Sequence, residues 1–145
     1  MHLPRYEYKT NTGFLDYEFI TEGPKGKIKK VVRYTQIDDF VFNLAFGDLD
    51  EVTGEINDAA VTNNDDSRKV LATVAATVYD FTNQYPGSLV VAKGVTQSRT
   101  RLYRMGITNY RKEINADFEI YGLKDKTWEE FTERRDYEAF LIRRK

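Results

Sequence analysis

Val70-Leu71-Ala72-Thr73-Val74-Ala75-Ala76-Thr77-Val78-Tyr79-Asp80-Phe81-Thr82-Asn83-Gln84-Tyr85-Pro86-Gly87-Ser88-Leu89-Val90-Val91-Ala92 is the stretch from which the fold can be read. Val70, Val74, Val78 and Phe81, with Leu71 and Tyr85, recur at three- and four-residue spacing, which is one apolar face of a helix. Ala72, Ala75 and Ala76 favour the helix and permit close packing. The pattern predicts a helix from about Ser67 to Gln84, stopped by Pro86-Gly87. Leu89 to Ala92 is short and wholly apolar, so it reads as an interior strand. Lys93-Gly94-Val95-Thr96 leads out of that strand. Ser98-Arg99-Thr100-Arg101-Leu102-Tyr103-Arg104 then opens a second helix, with Thr96 or Ser98 as its cap. That helix carries Leu102, Tyr103, Met105, Tyr110 and Ile114, with Gly106 as a candidate break.

Working outward, Phe14 to Glu22 reads as a strand, Gly23-Pro24-Lys25-Gly26 as a turn, and Lys27 to Ile37 as the returning strand of a hairpin. Phe40 to Phe46 is apolar nearly throughout and reads as a central strand. A short strand around Thr53-Gly54 follows, within Glu51 to Ile56. Asn57 to Asp66 is a polar loop in which Asn64 or Asp65 is a suitable helix cap. Asp117 to Gly122 alternates like a half-exposed strand. Lys124 to Arg135 reads as a charged connector, with a short helix anchored by Trp128 and Phe131. Tyr137 to Ile142 is the last strand. The expected architecture is α+β: one domain with a mostly antiparallel, twisted sheet of about six or seven strands and two principal helices.

Composition narrows the chemistry. The chain has no cysteine, and its one histidine is His2, near the N-terminus. Thiol nucleophiles, disulfides and cysteine zinc sites are excluded, and a metal site is not expected. Acid–base chemistry would fall to Asp, Glu, Lys or Tyr. No apolar run approaches the ~18 residues of a membrane span, and the first residues lack the apolar core of a signal peptide. A cytoplasmic location without membrane contact is the expectation. The net charge of −1 conceals segregation: Asp38 to Asp66 holds nine acids and no base, and Lys93 to Lys112 six bases and no acid. Lys25, Lys27, Lys29, Lys30 and Arg33 form an earlier basic strip. Such blocks either neutralise one another across the fold or present a basic face to a phosphate-bearing partner.

The strongest candidate ligand site is Thr96, Ser98, Arg99, Arg101 and Arg104. It lies where α/β folds often keep an anion, at a helix start just past a buried strand. Free helix N–H groups, hydroxyls and arginine forks all match phosphate or carboxylate oxygens. Arg101 and Arg104 are three apart and share one side of the helix, while Arg99 points elsewhere. The competing expectation is that these arginines pair with acids from Asp48 to Asp66. Asp48, Asp50, Glu51, Glu55 and Asp58 suggest at most loose Mg²⁺ binding, since the EF-hand spacing of glycine and glutamate fails. The high aromatic load is explained by core packing more readily than by base stacking, and nucleic acid is not the favoured partner.

Two resemblances add to this. Asn43-Leu44-Ala45-Phe46-Gly47-Asp48, Asn63-Asn64-Asp65, Lys69 to Val74 and Ser98 to Met105 together resemble a small bacterial domain family of unknown function, over nearly the whole chain. More weakly, the run of strand, loop, helix, strand and short helix from Phe40 to Ile107 is similar to the later half of the GCN5-related N-acetyltransferases. There a strand and the following helix hold acetyl-CoA, and a later helix often carries a Leu-Tyr pair such as Leu102-Tyr103. Those enzymes cradle the pyrophosphate with a glycine-rich loop; the corresponding residues here are Asn63-Asn64-Asp65-Asp66-Ser67-Arg68-Lys69, without glycine. The first functional expectation is a binding or interaction domain that takes a phosphate-bearing ligand or an acidic partner at Ser98 to Arg104, without a cofactor. The alternatives are an acetyltransferase-like enzyme with a degenerate cofactor loop, and a toxin–antitoxin component acting on RNA or a protein partner.

Overall fold

Alternation of buried and exposed residues dominates the central strands. In the computed structural model, residues 4–57, 66–94 and 96–145 are described. Their strands are β1 (Tyr8–Thr10), β2 (Asp16–Gly23), β3 (Gly26–Asp38), β4 (Val41–Leu49), β5 (Ile56–Asn57), β6 (Leu89–Ala92), β7 (Phe118–Lys124), β8 (Thr127–Glu130) and β9 (Ala139–Arg144). The helices are α1 (Ser67–Gln84), α2 (Gln97–Asn109) and α3 (Arg111–Asp117). The strands form a single nine-stranded sheet in the order β1-β2-β3-β4-β6-β9-β7-β8, with β5 paired to β4. Every pairing is antiparallel except β4 with β6, which α1 connects.

The α+β class therefore holds, with more strands than the six or seven expected. Two added strands account for the count, and a third difference moves a strand along the chain. The N-terminal strand β1 is only three residues long and pairs Tyr8 to Thr10 with Tyr17 to Phe19. The connector from Lys124 to Arg135 is not a helix. Asp125 and Lys126 both have positive φ (50 and 65), which makes a two-residue hairpin turn, and β8 returns along β7. Trp128 is 42% exposed, whereas Phe131 is buried as expected. The strand expected around Thr53-Gly54 is a turn, and the paired residues are Ile56 and Asn57 opposite Leu49 and Asp48. The last strand lies two residues further on than its apolar run suggests. The candidate caps Asn64 and Asp65 lie outside the described residues, as do the other polar-loop residues 58–63.

α1 follows its periodicity from Ser67 to Gln84 and buries Val70, Val74, Val78 and Phe81 against the sheet. Phe81 is the centre of an aromatic stack: its ring lies 4.1 Å from Tyr34, nearly parallel to it, and meets Phe42 edge-on at 4.9 Å. Three threonines on the buried side satisfy their hydroxyls within the helix. Thr77 donates to the Val74 carbonyl at 2.7 Å, so its oxygen is left to accept the Tyr34 hydroxyl at 2.9 Å. Thr73 likewise donates to Lys69 and accepts the backbone N–H of Tyr6, tying the N-terminal segment to α1. The second predicted helix is two. It breaks at Tyr110 (φ −112, ψ 22), which closes α2 and opens α3, while Gly106 stays inside α2 against Leu71.

The buried tyrosines carry a testable consequence. Burial pushes the Tyr17 hydroxyl up to about 12 and Tyr34 well above the ordinary 10.0. The folded protein then keeps protons that the unfolded chain loses. Stability is complete below pH ~10 and falls as the pH rises through that value toward 12. The urea midpoint is expected to drop steeply between pH 10 and 12 at constant slope. A midpoint unchanged over that range would contradict the burial of these hydroxyls.

Candidate functional site

The end of β6 is where the predicted site falls. β6 and β9 pair from Leu89 with Arg143 to Ala92 with Phe140, and there the ladder stops. Beyond it the chain leaves β6 through Lys93 and Gly94 toward α2, and on the other strand Asp136, Tyr137 and Glu138 lead into β9. A cavity of about 410 Å³ opens between these two segments. Its walls include Lys93, Thr96, Thr100, Arg101 and Arg104 on one side and Asp136, Tyr137 and Glu138 on the other.

Local geometry fixes the α2 wall. Thr96 is the N-cap and its hydroxyl oxygen accepts the Arg99 N–H at 3.2 Å. Thr100 donates back to the Thr96 carbonyl at 3.2 Å. Gly94 lies under this first turn so closely that a Cβ there would meet the Thr100 nitrogen at 2.4 Å. On the opposite wall Gly122 does the same for Tyr137, whose ring occupies the place of a Cβ on β7. The Tyr137 hydroxyl accepts the Thr132 N–H at 3.0 Å, so the ring is held at both ends.

The five candidate residues divide. Thr96, Arg101 and Arg104 come together at the cavity, and the three-residue spacing of the two arginines puts both on its side. Ser98 is exposed and does not line the cavity. Arg99 turns into the protein, 1% exposed, with its guanidinium 4.6 Å above the Phe46 ring on β4. It belongs to the packing between α2 and the sheet. Arg104 pairs with Asp136, and Lys124 donates to the Asp136 carbonyl at 3.2 Å. Arg111 lies 3.8 Å from Glu133. Among the described residues, the ion pairs of Arg104 and Arg111 are with acids on the approach to β9.

Acids of the earlier block pair with the first basic strip. Lys30 meets Asp48 at 2.5 Å and Lys29 meets Glu51 at 3.5 Å. Asp50 accepts the backbone N–H groups of Val52 and Thr53 and shapes the turn. Asp58 lies outside the described residues. Among the described residues no three acids or histidines are grouped to hold a metal ion. No described helix is long and apolar enough to cross a membrane.

A family model described as a family of unknown function, DUF6934, matches residues 2–145. The chain belongs to that family. The match spans both walls of the cavity, so the site lies within the DUF6934 unit. No curated protein and no solved structure matches the chain.

Sequence reasoning reached the α2 wall because its residues are contiguous. It missed Asp136, Tyr137 and Glu138, which join the site only through the pairing of β6 with β9. The one local signal was the acid pair Asp136 and Glu138 just before an apolar strand.

Proposed function

We propose that this domain binds a small phosphate-bearing ligand in the cavity between α2 and β9. One observation carries the reading: Lys93 and Arg101 are both exposed, both line the cavity, and neither has an ion-pair partner among the described residues. Positive side chains near a helix N-terminus oppose its dipole by roughly 0.3–1 kcal/mol each, so their placement there calls for an anion. Thr96 shapes the turn and the Arg104–Asp136 pair ties the two walls together. A concave site of this volume suits a small molecule better than the flatter surface of an acidic protein.

Titration with inorganic phosphate, followed by amide chemical shifts, tests this. Shifts are expected at Thr96 to Arg101 and at Lys93. Lys93→Ala with Arg101→Ala is expected to weaken phosphate binding at least about tenfold while changing stability by about 0.5 kcal/mol or less per site, since neither side chain has a partner to lose. A protein whose amides near α2 do not respond to phosphate would exclude the reading.

The acetyltransferase-like reading is second, and the sheet supports it. The one parallel pair among the described residues, β4 with β6, is joined through α1, and a crevice beyond the carboxyl ends of such a pair is a usual place for a ligand. Against it stand Arg99, packed on Phe46 just past the last β4–β6 pair, and the absence of glycine before α1. Coenzyme A at 100 times its Kd would raise stability by about 2.7 kcal/mol. No shift with coenzyme A, together with a response to phosphate, favours the binding domain.

A further inference from the structure

The cavity at the end of β6 carries charge of both signs, and not all of it is paired. Arg104 and Asp136 neutralise each other across the mouth. Three charges remain: Lys93 and Arg101 on the α2 side, and the Glu138 carboxylate on the β9 side. All three are exposed, and none lies within ion-pair distance of an opposite charge among the described residues. They also do not reach one another, although they line the same space. The backbone explains the separation. Ala92 is opposite Phe140, so Lys93 and Glu138 sit just beyond the last paired residues, on chains that are diverging. The Glu138 backbone is fixed at this point, its N–H donating to the Leu123 carbonyl at 2.8 Å.

We propose that the ligand of this cavity is a zwitterion. Its phosphate faces Lys93 and Arg101, and a primary ammonium faces Glu138. An anion alone would leave the Glu138 carboxylate in the same cavity as a like charge, whereas an ammonium on the same molecule would neutralise it. This rests on the reading of the cavity as a phosphate site and adds the second recognition group. Glu138 is then a specificity-determining residue, and Lys93 and Arg101 supply the anion contact.

Three probes separate the two ideas: inorganic phosphate, ethyl phosphate and O-phosphoethanolamine, each titrated calorimetrically and by amide shifts. O-phosphoethanolamine is expected to bind about five- to tenfold more tightly than ethyl phosphate, the scale of one ordinary hydrogen bond at an exposed site. Glu138→Gln is expected to bring that ratio close to one while leaving ethyl phosphate bound at least as well. Lys93→Ala with Arg101→Ala is expected to weaken all three. If phosphate and ethyl phosphate bind but the ammonium adds nothing, the zwitterion inference is overturned and the anion site stands. If the ratio persists in Glu138→Gln, the ammonium is recognised elsewhere and the inference is again overturned. If no probe binds, both fall. Matching melting curves for the wild type and Glu138→Gln distinguish lost recognition from lost folding.

Discussion

Phe81→Ala is expected to cost about 3–5 kcal/mol, the range for removing a buried aromatic ring. At this chain length that corresponds to a melting temperature lower by roughly 10 °C or more. Phe81 is fully buried and touches three rings: Tyr34 stacked at 4.1 Å, Phe42 edge-on at 4.9 Å and Tyr85 at 5.0 Å. Deleting it leaves a void that none of these can fill, because Tyr34 is tied to Thr77 and Tyr85 donates to the Gly13 carbonyl at 2.6 Å. The loss should therefore lie near the top of the range. Phe81→Leu keeps most of the volume and should lose less than half as much. Urea unfolding of the two variants checks both the size and the order. A Phe81→Ala protein within about 1 kcal/mol of wild type would mean that α1 does not seat this face on the sheet.

That α1 could be read from sequence is a matter of locality. Its apolar face repeats within one segment, and the residues that end it, Pro86 and Gly87, follow directly. β6 is equally plain, because four consecutive apolar residues after a helix stop have few other uses. β8 was hidden for the opposite reason. Its turn is built by Asp125 and Lys126 in the left-handed region rather than by the Asn-Gly or Asp-Gly that usually marks a two-residue hairpin. The strand itself, Thr127-Trp128-Glu129-Glu130, is charged and mostly exposed because it lies at a sheet edge, so it lacks the alternation that marks a buried face. β1 is short and pairs on one side only, which leaves a similarly weak trace.

The site divides along the same line. The shared side of Arg101 and Arg104 follows from helix geometry, and the structure puts both at the cavity. Arg99 also departs from them as the spacing requires, but its destination was not legible. Phe46 lies on β4, and only the crossover through α1 brings that strand beside the start of α2. Of the acids in Asp48 to Asp66, the described ion pairs place Asp48 against Lys30 and Glu51 against Lys29. Asp48 is directly opposite Lys30 in the β3–β4 register, so the nearer cation takes it. The acids that do reach the α2 wall enter through the β6–β9 pairing, which joins residues more than forty positions apart and leaves no periodic mark.

Gly94→Val is expected to be the most damaging single change at the site, affecting stability and binding together. A Cβ at this position would lie 2.4 Å from the Thr100 nitrogen and 2.7 Å from the Arg99 carbonyl carbon. Both are backbone atoms in the first turn of α2, so no side-chain rotation relieves the contact. The turn itself must move, and overpacking of this kind costs about 3 kcal/mol at its upper range. The displacement passes to two places. Arg99 is drawn off the Phe46 ring, which adds to the loss of stability. Arg101 and Arg104 follow the helix start, which spoils the spacing of the cationic wall against Asp136 and Glu138. Phosphate binding should weaken along with the melting temperature, and the amide shifts should concentrate at the start of α2 and at Phe46. Lys93→Ala provides the contrast: it removes a charge from the same wall without moving the turn, so it should weaken binding at nearly constant melting temperature. A Gly94→Val protein as stable as the wild type would show that α2 does not rest on the end of β6. The close approach that forms the α2 wall of the cavity would then be absent.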